Sequence, residues 1–153
     1  MKVRIEIDER LQEDELIIRC SQVDSGIIKL QEAVRDIGSK DWCMTLRMKD
    51  TEYYIPLDEI LFFETEEKNV RAHTADKMFE TSYKLYELEK MLPGHFMRIS
   101  KSTIVNMDRI YSITRNLTAS SVVEFTGSAK KVYVSRNYYK VLAERLGERR
   151  RRI

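Results

Sequence analysis

A basic, hydroxyl-rich segment, FMRISKSTIVNMDRI at residues 96–110, contains the residue types best suited to binding an anion. Arg98 and Lys101 supply positive charge, and Ser100 and Ser102 place hydroxyl groups on either side of the lysine. Such groups neutralise phosphates and donate hydrogen bonds to phosphate oxygens. The segment is either a strand and loop that close a sheet, or a loop that presents these groups to a negatively charged partner.

Residues for enzymatic chemistry are sparse. His73 and His95 are the two histidines, and neither stands in a metal-ligand spacing. Glu64, Glu66 and Glu67 form an acidic cluster, but no orienting group accompanies them, which favours solvated strand-end carboxylates over an acid–base pair. We therefore predict no catalytic residues, no metal, no cofactor and no small-molecule substrate.

Positive charge is concentrated in the last third of the chain. The 153 residues carry a net charge of +2, but residues 96–153 alone hold 13 basic and 4 acidic residues, a net +9. Omitting the four arginines at 149–152 still leaves +5 in this block. A segregated basic region is typical of a nucleic-acid binder.

Length and composition indicate one ordinary domain, or one domain with a small appendage. The sequence is 42% hydrophobic and 34% charged, and no apolar run approaches the ~20 residues needed to span a bilayer. Cys20 and Cys43 stand far apart, so a reducing cytoplasm is expected rather than a disulfide framework.

The first 40 residues predict a small ββα unit. Residues 2–8 (KVRIEID) alternate with the period of a strand, and residues 15–20 (ELIIRC) suit a second one. Asp24 is a good helix N-cap, an apolar stripe follows it, and Gly38 stands where a helix would end. A unit this small is expected to pack on the remainder of the chain or on a partner.

Short strands dominate the chain from residue 41 onward. The close spacing of the candidates indicates an antiparallel, hairpin-connected arrangement. Two short helices are predicted, one within residues 83–92 and one that begins after Ser135 and ends at Gly147. The strand candidates are WCMTLRM, TEYYIPL, ILFFETE, VRAHTA, MFETS, HFMRIS, RIYSITR, SVVEFT and KVYVS. We therefore predict a mainly β (α+β) domain and not a helix-turn-helix.

The order and spacing of several motifs resemble the LytTR DNA-binding domain of bacterial LytR/AlgR-type regulators. The motifs are IPLDEILFFET, KNVRAHT, YKLYELEKMLP, FMRISKSTIVNMDRI and VYVSRNYYKVLAERL. The resemblance covers residues 42–147, with a basic tail at 148–153. It implies an elongated fold of antiparallel β-sheets with short helices, in which loops rather than a recognition helix meet the DNA.

The resemblance also implies three DNA-contacting segments. The first holds Lys68 and Asn69, with Val70 beside them, and the second holds Ser100, Lys101 and Ser102, flanked by Arg98. The third, at the entry to the last helix, is formed by Ser135, Arg136 and Asn137. The planar guanidinium of Arg136 suits bidentate readout of guanine, and Lys101 suits a phosphate or a single base acceptor.

Several residues depart from the family pattern and keep a second interpretation open. Ser100 stands where many members have histidine, Val70 cannot hydrogen-bond to a base, and the acidic cluster would repel phosphate. The alternative is a protein-interaction module with degenerate DNA-binding loops. RNA binding, a third possibility, would require exposed aromatic rings for stacking. An adjacent aromatic pair in a strand, such as Tyr53 and Tyr54 or Phe62 and Phe63, places one ring inside and one outside, so core packing accounts for about half of these rings.

Some 40 residues precede the domain, too few for a phosphorylated receiver, so the chain is similar to stand-alone LytTR regulators. The resemblance then implies a cytoplasmic transcriptional regulator that binds repeats in double-stranded promoter DNA. A homodimer is expected, with the N-terminal unit serving dimerisation or docking of an inhibitor. Family context also implies a small membrane protein as that inhibitor.

Overall fold

The computed structural model describes residues 2–11, 15–38 and 42–149. Most of the predicted basic tail at 148–153 lies outside these ranges. No helix in the described ranges is both long enough and apolar enough to cross a membrane.

The N-terminal helix forms as predicted. Helix α1 spans Ser25–Gly38, and an Asp24 carboxylate oxygen accepts a hydrogen bond from the Ile27 N–H at 2.9 Å. This bond satisfies one of the N–H groups that have no partner within a helix, which is why aspartate favours this position. Lys29 Nζ lies 3.8 Å from Oε1 of Glu148, a residue near the C-terminal end of the chain.

The two strands predicted before this helix are not present, so the β part of the ββα prediction is wrong. Residues 2–8 and 15–20 are described without strand structure. A strand needs a neighbour to accept and donate its backbone hydrogen bonds, and neither segment pairs with another part of the described chain. The alternating pattern was recognised correctly, but alternation alone does not supply a partner.

Seven antiparallel strands form the main sheet, in the order β2-β1-β5-β4-β3-β7-β6. Its strands are β1 (Cys43–Met48), β2 (Thr51–Pro56), β3 (Phe62–Glu66), β4 (Asn69–His73), β5 (Met78–Thr81), β6 (Phe96–Arg98) and β7 (Thr103–Asn106). Helix α2 (Leu85–Met91) connects β5 to β6. The Glu87 side chain accepts a hydrogen bond from the Lys84 N–H at the start of this helix, at 2.8 Å.

Strand β7 was missed by the sequence analysis. Its four residues are all buried, including Thr103 at 2% and Asn106 at 1% exposure. The Asn106 amide donates to the Ile60 carbonyl at 2.9 Å, and its oxygen accepts from the Asp108 N–H at 3.1 Å. Polar ends that are satisfied inside the protein gave this strand the appearance of a loop.

A second sheet of three antiparallel strands has the order β10-β9-β8. It is formed by β8 (Ile110–Thr114), β9 (Ser121–Phe125) and β10 (Lys131–Val134), and helix α3 (Arg136–Arg149) follows. The predicted helix stop at Gly147 is wrong, because α3 continues through this residue. A glycine reduces helix propensity but does not end a helix whose buried side, here Leu142 and Leu146, is packed.

Two hydrophobic cores lie on opposite faces of the seven-stranded sheet. Phe63 (0% exposed) belongs to the first core, with α2, and Phe62 (3%) belongs to the second, with the three-stranded sheet and α3. Neighbouring residues of a strand point to opposite faces, so this aromatic pair is buried on both sides. The expectation of one inner and one outer ring is confirmed for Tyr53, which packs on the first core, and Tyr54, which is 70% exposed, but it is wrong for Phe62 and Phe63.

Candidate nucleic-acid interface

The loop between β6 and β7 presents Lys101 at its tip. The Ile99 N–H donates to the Thr103 carbonyl at 3.0 Å and closes the hairpin. Within the loop, Ser100 Oγ accepts a hydrogen bond from the Ser102 N–H at 3.2 Å and lies 3.3 Å from Ser102 Oγ. Lys101 is exposed. The two serines therefore shape the loop, while the ammonium group extends into solvent.

Arg98 braces this loop from within the protein. Its Nε donates to the Ser100 carbonyl at 3.0 Å, and its Nη2 donates to the Lys101 carbonyl. Its Nη1 forms an ion pair with Glu89 of α2 at 2.5 Å. With the side chain 23% exposed and its guanidinium committed to three acceptors, Arg98 is arranged to position the loop rather than to reach an external ligand.

Two backbone hydrogen bonds bring the three predicted segments together around this loop. The Thr65 N–H donates to the Ser102 carbonyl at 2.8 Å, next to the β3–β4 hairpin. The Ser135 N–H donates to the Ile99 carbonyl at 3.0 Å, at the entry to α3. Segments separated by 30 or more positions in the sequence thus share one region of the surface.

The β3–β4 hairpin exposes Lys68 and Asn69. A two-residue turn joins Glu66 to Asn69, with Glu67 at a φ of 56°, a left-handed conformation that the tight turn requires. Val70, which was expected beside these residues on the DNA side, is only 3% exposed and belongs to the first core. The exposed residues of the hairpin are therefore the two turn residues and the first residue of β4.

The start of α3 provides the third exposed group. The Ser135 carbonyl accepts from the N–H groups of Tyr138 and Tyr139 at 3.0 and 3.2 Å, which begins the helix. Arg136 and Asn137 are both exposed. Their side chains, like those of Lys68 and Lys101, form no hydrogen bond or ion pair with other described residues. A helix N-terminus carries free N–H groups and a partial positive charge, which favours an anion.

Two members of the acidic cluster close to the hairpin, Glu64 and Glu66, are partly buried and interact with neighbouring side chains. Glu66 forms an ion pair with Arg71 at 2.8 Å and lies 3.6 Å from His73 Nε2. Burial and the neighbouring Glu66 raise the pKa of Glu64, against the opposing effect of a hydrogen bond with the Thr103 side chain. Glu67 in the turn is the exposed member of the cluster.

Glu64, Glu66 and His73 each offer a metal-ligand atom within 4.8 Å of the others. Cations already face the group, since Arg71 pairs with Glu66, and the Lys130 ammonium lies 3.5 Å from His73 Nδ1. Burial, followed by Lys130 and Arg71, lowers the pKa of His73 from 6.5 to about 4. The arrangement is that of an internal ion-pair network, because a bound metal would meet two fixed positive charges.

The bracing role of Arg98 was not evident from the sequence. Arg98 and Glu89 belong to different elements, β6 and α2, and no periodic pattern connects them. The role of Thr65, whose backbone joins the hairpin to the loop, also has no side-chain signature. The sequence placed Arg98 beside the second DNA-contacting segment, and the structure shows it paired with Glu89.

Comparison with known proteins agrees with this geometry. The model of the LytTr DNA-binding domain family matches residues 50–147. An uncharacterised HTH-type transcriptional regulator of Staphylococcus aureus strain NCTC 8325 is 31% identical over 147 residues, covering 95% of this chain and 98% of the relative. A relative with the same description in bovine strain RF122 is 32% identical over 148 residues.

A solved LytTr DNA-binding domain from Bacillus cereus shares the fold. It superimposes with a TM-score of 0.64 at 24% sequence identity, covering 70% of this chain and 98% of that structure. The chain therefore belongs to the LytTR family of DNA-binding domains. This confirms the predicted family and mainly β fold, and a family of DNA-binding domains agrees with the prediction of a non-enzyme. Five strands separate α2 from α3, so these two helices do not form a helix-turn-helix despite the description of the relatives.

Proposed function

We propose that this protein is a transcriptional regulator that binds specific sequences in double-stranded DNA through the major groove. The observation that carries the proposal is the convergence of the three exposed segments around the β6–β7 loop, joined by the Thr65–Ser102 and Ser135–Ile99 hydrogen bonds. Membership of a DNA-binding family and relatives described as transcriptional regulators support it. We expect it to act in the cytoplasm, where the chromosome of a bacterium lies.

The exposed groups suggest a division of roles. Arg136 reads a guanine edge, because its guanidinium is exposed and has no partner among the described residues. Lys101 and Lys68 neutralise backbone phosphates, and the N-terminus of α3 adds N–H donors beside Arg136. Arg98, Ser100 and Ser102 hold the loop in shape, so their contribution to binding is one of position.

The features that favoured a protein-interaction module carry less weight in the folded chain. Val70 is a core residue and not a degenerate contact. Glu66 is neutralised by Arg71, and Glu64 is partly buried, so neither presents a free carboxylate to the DNA. Ser100 bonds to the loop backbone, which gives it a structural use at a position where many family members carry histidine.

The test is binding of the purified protein to the DNA upstream of its own gene, with unrelated duplex as competitor. Arg136→Ala should weaken specific binding by about 1–3 kcal/mol, or about 5- to 150-fold, and relax sequence preference. Lys77→Ala is the matched control, since Lys77 is exposed at the opposite end of the β4–β5 hairpin. Equal losses of affinity in Arg136→Ala and Lys77→Ala would show that DNA binding depends only on net charge. Absence of DNA binding by the wild-type protein would favour a protein-interaction module.

A further inference from the structure

The segment Lys2–Asp8 exposes a complete apolar row without a partner in the described chain. Val3, Ile5 and Ile7 are 87%, 85% and 90% exposed. The charged residues between them alternate with this row, and Arg4 pairs with Glu6 at 3.0 Å. Residues 2–8 form no strand in the single chain, but three exposed branched aliphatic residues at period two would line one apolar face if the segment paired in a sheet, and branched residues favour strands.

The charges of this segment are antisymmetric about Ile5. Lysine and arginine occupy positions 2 and 4, whereas glutamate and aspartate occupy positions 6 and 8. An antiparallel copy of the same segment, related by a two-fold axis through Ile5, therefore meets opposite charges along one face. The directly opposed pairs are Lys2 with Asp8, Arg4 with Glu6, Val3 with Ile7, and Ile5 with Ile5 of the second copy.

We propose that two copies of this chain associate through antiparallel pairing of Lys2–Asp8 with itself. Such an interface is self-complementary, as two-fold symmetry requires. Each directly opposed pair of opposite charges or apolar groups stabilises an antiparallel sheet. The mutual ladder also satisfies backbone groups that a lone edge strand leaves open. This inference does not depend on DNA binding.

Two other pairings of the segment oppose like charges. A parallel, in-register pair sets Lys2 against Lys2 and Glu6 against Glu6. Within one chain, the register that aligns Val3, Ile5 and Ile7 with apolar partners joins them to Cys20, Ile18 and Leu16. That register also opposes Asp8 to Glu15 and Arg4 to Arg19. Like charges directly opposite one another destabilise a sheet.

The length of the pairing is set by a turn. The Asp8 carbonyl accepts from the Leu11 N–H at 3.2 Å, and Arg10 binds the Asp8 carboxylate through Nε and Nη2, both at 2.9 Å. The chain therefore leaves the strand direction after Asp8. A two-stranded ribbon alone is marginal in water, and we expect exposed apolar residues further along, Leu16 (62%) and Ile17 (64%), to cover part of its apolar face.

Charge exchange in the full chain tests the pairing. Arg4→Glu alone and Glu6→Arg alone should each weaken dimerisation by about tenfold, because each creates two repulsive pairs per dimer. A mixture of the two single variants should form heterodimers with affinity near wild type, although neither variant has an attractive pair between positions 4 and 6 of its own chain. Sedimentation velocity with a fluorophore on one variant measures this directly.

Cysteine cross-linking tests the direction of the pairing. In a Cys20→Ser, Cys43→Ser background, Ile5→Cys should give a disulfide-linked dimer on mild oxidation, because directly opposed residues lie about 4.5–5.5 Å apart between Cα atoms. Ile7→Cys is the matched control and should not cross-link, since it faces Val3 of the second copy. Cross-linking of both variants would indicate a parallel pair and overturn the proposal. A monomeric wild type, or a dimer insensitive to both charge reversals, would overturn it equally.

Discussion

Two arginines in the same region of the surface have different surroundings. Arg98 donates to the carbonyls of Ser100 and Lys101 and pairs with Glu89, whereas Arg136 has no partner among the described residues. A guanidinium that is already satisfied has little to gain from an external acceptor, while an exposed one can exchange water for a guanine edge. The sequence made both arginines candidates for DNA contact, Arg98 by its basic, hydroxyl-rich segment and Arg136 by the family resemblance.

Lys101 should contribute a salt-dependent term that is independent of sequence. If its ammonium neutralises one phosphate, Lys101→Ala should reduce the slope of log affinity against log salt by about 0.9 and weaken specific and unrelated duplexes alike. Binding measured at several salt concentrations gives the slope, and Lys77→Ala should leave it unchanged. A loss restricted to the specific duplex would instead assign Lys101 to a base edge.

His73 should make stability depend on pH. Its folded-state pKa of about 4 lies below the ~6.5 of an unfolded chain, so the unfolded state takes up the proton first as the pH falls. The free energy of unfolding is therefore highest with respect to this group above pH ~6.5 and falls by up to about 3 kcal/mol as the pH approaches 4. Urea unfolding of wild type and His73→Gln across this range measures the difference.

The free energy of unfolding is compared as a function of pH between wild type and His73→Gln. The difference between the two slopes isolates the contribution of the His73 imidazole. His73→Gln also loses the stacking on Phe62, whose ring lies 4.3 Å from the imidazole, but this loss is the same at each pH. Glu64 has the opposite effect on the pH dependence of stability. Because the pKa of its carboxyl is raised in the folded protein, its protonation as the pH falls stabilises the folded state. Equal pH dependence in the two proteins would contradict the proposed burial of a neutral imidazole.

At the scale of elements, the β6–β7 hairpin depends on α2 for its loop geometry. Glu89→Ala removes a negative charge from near the interface, which by itself would favour DNA binding. If Arg98 positions the loop, the variant should nevertheless bind about two- to fivefold more weakly, since a partner of the bracing guanidinium is lost.

Whether Glu89→Ala weakens or tightens DNA binding distinguishes two possible roles of Arg98, positioning of the loop and direct contact with DNA. Direct contact between Arg98 and DNA predicts tighter binding by Glu89→Ala, because the guanidinium would be released. Glu80→Ala provides the control for charge alone, as Glu80 is exposed on β5. Titration of labelled operator DNA with the three proteins gives the comparison.

Elements with a clear period or cap could be predicted, and those that depend on a distant partner could not. Asp24 marked the start of α1, and closely spaced short strand candidates marked strands such as β1 and β3. Strand β7 was missed because its polar ends, Thr103 and Asn106, are satisfied by groups far away in the sequence. The N-terminal strands were predicted from alternation, but pairing is a property of two segments and not of one.

The candidate site likewise combines residues that the sequence indicated with an arrangement that depends on distant partners. The types of Arg98 and Lys101 indicated anion binding, and the family resemblance supplied Arg136 as a residue suited to a guanine edge. The convergence of the segments depends on the backbone of Thr65 and Ile99, whose side chains carry no signal for it. Burial of Val70 likewise follows from the first core of the folded chain, so the sequence alone left this residue among the expected contacts.

At the scale of the whole molecule, self-pairing of the N-terminal segment would couple two DNA interfaces. A linked pair of binding modules gains affinity for two adjacent sites because the second contact becomes intramolecular. Arg4→Glu should therefore weaken binding to DNA with two repeats by about tenfold or more, yet leave binding to one isolated repeat unchanged. Titrations with the two duplexes measure both values, and equal losses would indicate damage to the DNA interface itself.

The bond from the Ser135 N–H to the Ile99 carbonyl also bears on how the protein is made. Synthesis proceeds from the N-terminus, so the β6–β7 loop leaves the ribosome before the strand and helix that complete its surroundings. We expect nascent chains, and fragments ending before residue 135, to lack the Arg136 segment and to bind operator DNA poorly. Only finished copies would then compete for promoters, and incomplete translation products would not occupy the sites that the regulator controls.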